Sequence, residues 1–545
     1  MRMAEWFNLT TCIIDYFALN TGFLTTLERK RKMMPGISPR FFKSIAFWTV
    51  LRSASMAAFA GVVVISWGRW GIEGVDVPDP LMYTNLGNLL FWAVWLMGLV
   101  VLTPFFGRLW CGVCPLGALN EIVSRWGLSR PFPRSLRNDY PKAVLMLATL
   151  LLMGLYRLHH YPGATALYLA AWGILALLLG LVFSGRSLCS YVCPIGGMLG
   201  LYSRVAPVEV TVRDRDVCED CESRDCIRGS DRWIRLALGR VRSVFRLRHH
   251  PCPVNLSVWD MKGTGRCLGC FNCLRACPHD NVQLSWRTPL TALWTERYPR
   301  YSEIALTAVL LGFLLLSYSR FWPALGSVLA IPVSVLAPVV GTGAGRVLYL
   351  VWVGLLLPGL LIFAPSILVH AARAVSAGGA AMGTAPDSDR SFPTVRFWLA
   401  PRTPGVPSKD QEGDEAVVER TDTLGGLTAA CLPMLLPIIL GGHLVLALVK
   451  LNAKLGYLPL GMADPVGIRS YLAVEELELL SRPHLILSIP VLRWITGGIM
   501  AAGIILSLAA ASRISGREDI PFLPYVAQIG LVGLCLAGGL YKWLF

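Results

Sequence analysis

The sequence predicts an all-α polytopic membrane protein of about 8–10 spans, interrupted by one small inserted α+β domain. Three observations predict it. Mean hydropathy is +0.55 over 545 residues, of which only 15% are charged. Apolar runs of about 20 residues, the length that crosses a bilayer, recur along the chain. Between 186 and 302 that pattern stops, and eight of the fifteen cysteines gather between 218 and 277. The net charge of +16 comes from basic residues that flank apolar runs rather than line one face. That is the arrangement of positive cytoplasmic loops, and it argues against a nucleic-acid partner.

Residues 1–43 read as an N-terminal interfacial or poor membrane segment. Its apolar stretch 6–24 is broken by Asp15, and Arg29, Lys30, Arg31, Lys32, Arg40 and Lys43 follow on the cytoplasmic side. The opening residues lack the pattern of a cleavable signal peptide. A four-helix membrane unit fills 44–185, with spans at 44–67, 86–106, 143–157 and 164–184. The loop bearing Glu73, Asp76 and Asp79 suits the outer face. The insert occupies 186–302. Membrane helices resume over 303–371, with a re-entrant or interfacial proline-containing run at 323–340. Residues 372–424 are rich in Gly, Ala, Pro and Ser and read as a flexible linker. C-terminal membrane helices occupy 425–545, with spans near 425–449, 484–511 and 521–543. Between the first two, YLAVEELELLSRPH (471–484) has helical spacing and suits the outer surface.

One internal repeat stands out. FFGRLWCGVCPLG (105–117) and FSGRSLCSYVCPIG (183–196) each close a span with Gly-Arg, a cysteine pair, proline and glycine. A duplicated pair of hairpins is the natural reading.

The insert carries the clearest chemistry. Cys218, Cys221 and Cys226 form C-x2-C-x4-C, with Cys252-Pro253 downstream; Cys267, Cys270, Cys273 and Cys277-Pro278 form C-x2-C-x2-C-x3-C-P. Two runs closing on Cys-Pro are the ligand pattern of a two-cluster ferredoxin, in which the remote cysteine of each run ligates the other cube. The inserted small α+β two-cluster ferredoxin-like domain therefore predicts one [4Fe–4S] cluster on Cys218, Cys221, Cys226 and Cys277. A second falls to Cys252, Cys267, Cys270 and Cys273. Structural zinc is the competing reading, stronger for the irregular first run. RWIRLALGRVRSVFRLRHH (232–250), between the runs, reads as a basic amphipathic helix for a lipid surface or a partner.

Cys111 with Cys114, and Cys189 with Cys193, share helix faces at the membrane edge. Together they offer four thiolates to a further cluster or another soft metal ion. A redox-active dithiol and simple helix-ending punctuation are the alternatives. His370, His443 and His484 lie on or beside spans and are candidate b-type haem ligands. His443 leads them, because Gly441 and Gly442 admit a large ring. His159 and His160 suit a quinone or proton path, or a solvated turn. With no C-x-x-C-H, covalent c-type haem is excluded. No nucleophile–base constellation is present, which fits an electron-transfer subunit rather than a stand-alone enzyme.

GRLWCGVCPLG and GRSLCSYVCPIG at span ends, followed by the two-cluster insert, resemble the membrane polyferredoxins of the NapH and NosR kind over about residues 44–300. The resemblance implies a multi-pass protein of a bacterial or archaeal cytoplasmic membrane, its iron–sulfur domain cytoplasmic. It would relay electrons between cytoplasmic or quinone-pool donors and a membrane or periplasmic redox partner, such as a cytochrome or reductase, in anaerobic respiration. The related CcoG-type proteins imply the alternative, a metal reductase or assembly factor for a respiratory metalloenzyme. Three departures are visible. The first pair is C-x2-C-P instead of C-x3-C-P, no flavin-attachment motif is present, and residues 303–545 have no counterpart in short NapH-like proteins.

Overall fold

The computed structural model describes residues 42–381 and 423–544, apart from 76–78, 239–240, 250–251, 255, 262–264, 288, 291–292, 294–300 and 519. The expectations for 1–41, and for most of the 372–424 linker, lie outside the described residues.

Eight helices are long and apolar enough to cross a membrane. In chain order the helices are α1 (Ile45–Ser66), α2 (Leu86–Phe106), α3 (Pro115–Ser124), α4 (Tyr140–Tyr156), α5 (Pro162–Val182) and α6 (Pro194–Tyr202). After the insert come α8 (Tyr301–Ser319), α9 (Pro323–Leu336), α10 (Gly341–Ala374), α11 (Leu424–Lys454), α12 (Ile489–Glu518) and α13 (Leu523–Leu544). A helix covers each stretch expected to be a span, but the one over 143–157 is too short to be among the eight. α4 and α9 are shorter apolar helices. The helical run that begins at Pro323 is broken at Gly341, whose φ 80°, ψ 165° lies outside helical space. The 471–484 stretch is helical only to Glu476 and irregular beyond.

α11 is the centre of the membrane body: 83% of its apolar window is buried, against 6% for α1. It packs on α2, α8, α10, α12 and α13, and Gly441 faces Gly503 so that α11 and α12 approach closely. α1 is thus left largely uncovered by the rest of the described chain.

The insert is framed by β1 (Val208–Val212) and β4 (Val282–Trp286), paired antiparallel from Val208↔Trp286 to Val212↔Val282. Between them lie β2 (Ser230–Leu238), β3 (Val241–His249) and the short helix α7 (Asn272–Ala276). The 232–250 segment is therefore not the expected amphipathic helix. It is an antiparallel hairpin in register Ser230↔His249 to Leu238↔Val241. Its sequence carries both signals, but the β-branched and aromatic content and the Gly239-Arg240 break favour paired strands over a helix that would hold glycine in its interior.

Candidate metal centres

The first set of insert cysteines converges on one pocket, lined by Cys218, Cys221, Cys226 and Cys277 together with Asn281 and Trp259. Positions 218–226 and 277 meet because β1 and β4 pair, bringing the two ends of the insert together. Asn281 fastens the junction. Its side-chain amide donates to Cys218 Sγ at 3.1 Å and to the Asp214 carbonyl, while its backbone N–H donates to Cys277 Sγ at 3.3 Å. Burial, then the neighbouring Cys277, Cys218 and Cys221 sulfurs, push the Cys226 thiol up to about 11.

The second set is more enclosed. Burial and then Cys270 push Cys252 up to about 12, and Cys273 is pushed well up by burial and by Cys267, Cys270 and Cys252. The Leu256 N–H donates to Cys252 Sγ at 3.4 Å. The structure thus groups each remote Cys-Pro with the opposite run. The two sets adjoin: Cys252 N–H donates to the Cys226 carbonyl at 2.9 Å, and Cys226 is among the sulfurs acting on Cys273.

At the membrane edge the two repeats bring Cys111, Cys114, Cys189 and Cys193 together. Burial, and after it the other sulfurs of the four, push Cys114, Cys189 and Cys193 each up to about 12. A Cβ on Gly117 would meet Cys189 Sγ at 2.9 Å, so the sulfur of one repeat lies on the glycine of the other. This set also touches the insert. A Cβ on Gly112, inside Cys111–Cys114, would stand 2.6 Å from the Gly269 carbonyl, inside Cys267–Cys270. Two C-x2-C loops meet backbone to backbone because each carries a glycine where the other approaches.

Each of these sets offers the four thiols that an iron–sulfur cube takes. Tetrahedral zinc holds thiolates about 3.8 Å apart, from a Zn–S bond of about 2.3 Å. Among the described residues no group of three or more His, Cys, Asp or Glu side chains is placed to hold a metal ion.

Charge points the same way. Arg186, fully buried, donates to Glu121 at 2.7 Å and to the Cys111 carbonyl. Burial pushes the Glu121 carboxyl up, but Arg186 and Arg52 outweigh it and hold it at about 2. Arg108, 7% exposed, donates Nη1–H to the Gly265 carbonyl at 2.7 Å, while its Nε and Nη2 are buried without partners. Arg52 Nη2 is likewise orphaned. This excess of buried guanidinium beside Cys189, Cys193 and Cys267 asks for an anion. Asn281, Glu121, Arg108 and Arg186 were not identified as site residues from sequence. The repeated Gly-Arg, and a lone acid seven residues after Cys114, were the signals available.

The histidines do not assemble. His370 on α10 and His484 in the loop before α12 are both exposed. His443 is buried on α11, its Nδ1 2.6 Å from the Tyr202 hydroxyl and its ring stacked at 8° on Phe313. Gly441 and Gly442 face Gly503, Leu314 and Leu536, so they serve helix packing instead of admitting a macrocycle. His160 pairs with Asp79 in the turn before α5.

Comparison with known proteins agrees with the repeat. A 4Fe-4S binding domain family matches residues 88–132 and 165–211, the two Cys-Pro hairpins. The chain is similar to the methylamine utilization ferredoxin-type protein MauN of Paracoccus denitrificans, 28% identical over 173 residues. That alignment covers 28% of this chain and 60% of MauN. An uncharacterized protein of Methanocaldococcus jannaschii is 24% identical over 277 residues, 49% of this chain and 92% of the relative. No solved structure matches. The comparisons support an iron–sulfur protein of ferredoxin type, and the eight apolar helices are consistent with a multi-pass membrane protein.

Proposed function

We propose that the chain is a membrane-bound iron–sulfur electron-transfer subunit, working between a donor on the insert side, taken as cytoplasmic, and a quinone or periplasmic redox partner. The observation that carries this reading is continuity. The first cysteine set adjoins the second through Cys252–Cys226, and the second adjoins the edge set through Gly269–Gly112. Iron–sulfur cubes bound there would supply one-electron exchange with little change in geometry. The chain supplies the rest. Twelve thiols hold, Asn281 and the backbone N–H groups of Leu256 and Gly196 donate to sulfur, and Arg108, Arg186 and Arg52 balance negative charge away from water. The NapH/NosR resemblance and the ferredoxin-type relative support the same role.

Iron and sulfide analysis of anaerobically purified protein tests it. Three cubes give about twelve irons per chain, four for each. Replacing Cys111, Cys114, Cys189 and Cys193 together by Ser is expected to remove about four of them and to leave the insert's low-temperature paramagnetic resonance signals in place. Eight irons in both proteins would remove the edge set from the path. Clusters that neither quinol nor a low-potential ferredoxin reduces would end the relay reading.

A further inference from the structure

A cavity of about 100 Å³ lies inside the membrane body between the repeat unit and α11. Phe91, Met153, Tyr168, Phe313, His159 and His443 are among the residues that wall it. His443 is 4% exposed, and its Nε2 has no hydrogen-bond partner. His159 Nδ1 is buried and unpartnered as well. Burial first, then His160 and Lys450, lower His159 to about 3, so it lines the cavity as a neutral imidazole. A buried polar atom left bare inside a membrane is costly, so a hydrogen-bonding group entering this cavity would be stabilised by it.

The other end of His443 shows what Nε2 can do. Nδ1 lies 2.6 Å from the Tyr202 hydroxyl and 3.1 Å from the Ile439 carbonyl. When Tyr202 O–H donates to Nδ1, Nε2 carries the proton and donates into the cavity. When Nδ1–H donates to Ile439, Nε2 accepts. The site can thus meet a carbonyl oxygen or a hydroxyl with the same ring.

A second, wider cavity of about 350 Å³ adjoins the first and shares Phe91, Tyr168, Pro194 and Ile195 with it. Its wall is almost wholly apolar. Ser55 and Phe59 of the largely uncovered α1 line one part, and Cys114 and Cys193 another. Space of this kind, apolar with a few convergent polar groups, suits a flat ring carrying hydrogen-bonding oxygens and a hydrocarbon tail.

We infer that these two cavities form a quinone site, with the ring held by His443 Nε2 and the tail in the wide apolar cavity beside Cys114 and Cys193. The inference rests on the relay reading for its purpose, while binding itself needs no turnover.

Short-chain ubiquinone and menaquinone analogues, titrated into the full-length detergent-purified protein, test it by equilibrium dialysis and by tryptophan quenching from Trp92 and Trp95. Saturable binding is expected. His443→Leu should weaken it about tenfold, the effect of one lost hydrogen bond to a buried group. His443→Gln, whose amide reaches the Nε2 position, should retain most of it. Leu446→Trp, which fills the ring cavity and leaves His443 in place, should abolish it. Unchanged binding in both His443→Leu and Leu446→Trp would overturn the assignment, as would a Soret band in the wild type that His443→Leu removes. Bound quinone that fails to exchange electrons with the clusters would break the relay reading and leave the site standing. Clusters reducible by ferredoxin in a protein that binds no quinone would do the reverse.

Discussion

The two Cys-Pro hairpins share Phe, Gly-Arg, a cysteine pair, proline and glycine, and differ by one residue in the spacing of their cysteines. In the first, the Cys114 N–H donates four residues back to Trp110 at 2.9 Å. In the second, the Cys193 N–H donates five residues back to Leu188 at 2.8 Å, closing a π turn over Leu188–Val192. Both copies then resume alike, Ala118 donating to Cys114 and Gly197 to Cys193, with proline at the first helical position. A one-residue insertion is absorbed as a π bulge. The unequal spacings, which argue against a shared centre when read as text, converge in space.

The copies also differ in charge. Seven residues past its second cysteine, the first copy has Glu121 and the second has Gly200. Arg186 therefore meets a carboxylate, and among the described residues Arg108 meets none. A Cβ on Gly200 would stand 2.8 Å from the Gly265 carbonyl, the acceptor Arg108 uses, so this position accommodates the insert loop in place of an acid.

The sharpest way to break this asymmetry is Glu121→Gln. It strands Arg186 in the interior and is expected to cost about 3–5 kcal/mol, read as a large drop in thermal midpoint in detergent. The wild-type carboxyl, depressed to about 2, contributes stability that is complete above its unfolded value near 4.5 and is lost as pH falls from there through about 2. The variant's acid unfolding should lack that component. Gly112→Ala comes next. Its methyl meets the Gly269 carbonyl and is expected to cost about 1–3 kcal/mol, with slowed electron exchange between edge and insert clusters in freeze-quench spectra. Arg108→Gln should leave folding nearly intact and lower the reduction potential of the adjoining clusters, because a cation that favours the more negative reduced state is gone. Smallest of all, one alanine inserted after Val113 should convert the first copy to the second spacing with iron content unchanged. Loss of iron would show that the π turn is not interchangeable with the α turn.

Sequence reading succeeded where one physical signal dominates. Long apolar helices stand where apolar length placed them, and Cys277 lines one pocket with Cys218, Cys221 and Cys226. It failed where two signals compete, as at 232–250, where basic residues among apolar ones satisfy both helical and strand periods and pairing decides. It also failed where the informative partner is remote. Nothing near His443 reveals Tyr202, 241 residues away, nor does the Arg108 segment reveal Gly265. Histidines on separate spans resemble a haem pair until the fold shows two of them exposed.

The buried guanidinium groups carry one more consequence. Arg52, Arg186 and Arg275 crowd around Glu121 and Cys270, Arg108 stands beside Cys267, and Arg275 is itself pushed down by burial. Before any anionic group is installed, these cations repel one another in a medium that screens them poorly. Charge neutrality thus becomes a condition of closure. A newly made chain would remain loose where insert and membrane unit meet, and cofactor loading would be the event that locks them, as metal binding drives folding in small metallodomains. Resistance of the purified protein to proteolysis is therefore expected to rise with its iron content, and equal resistance with and without iron would remove this account.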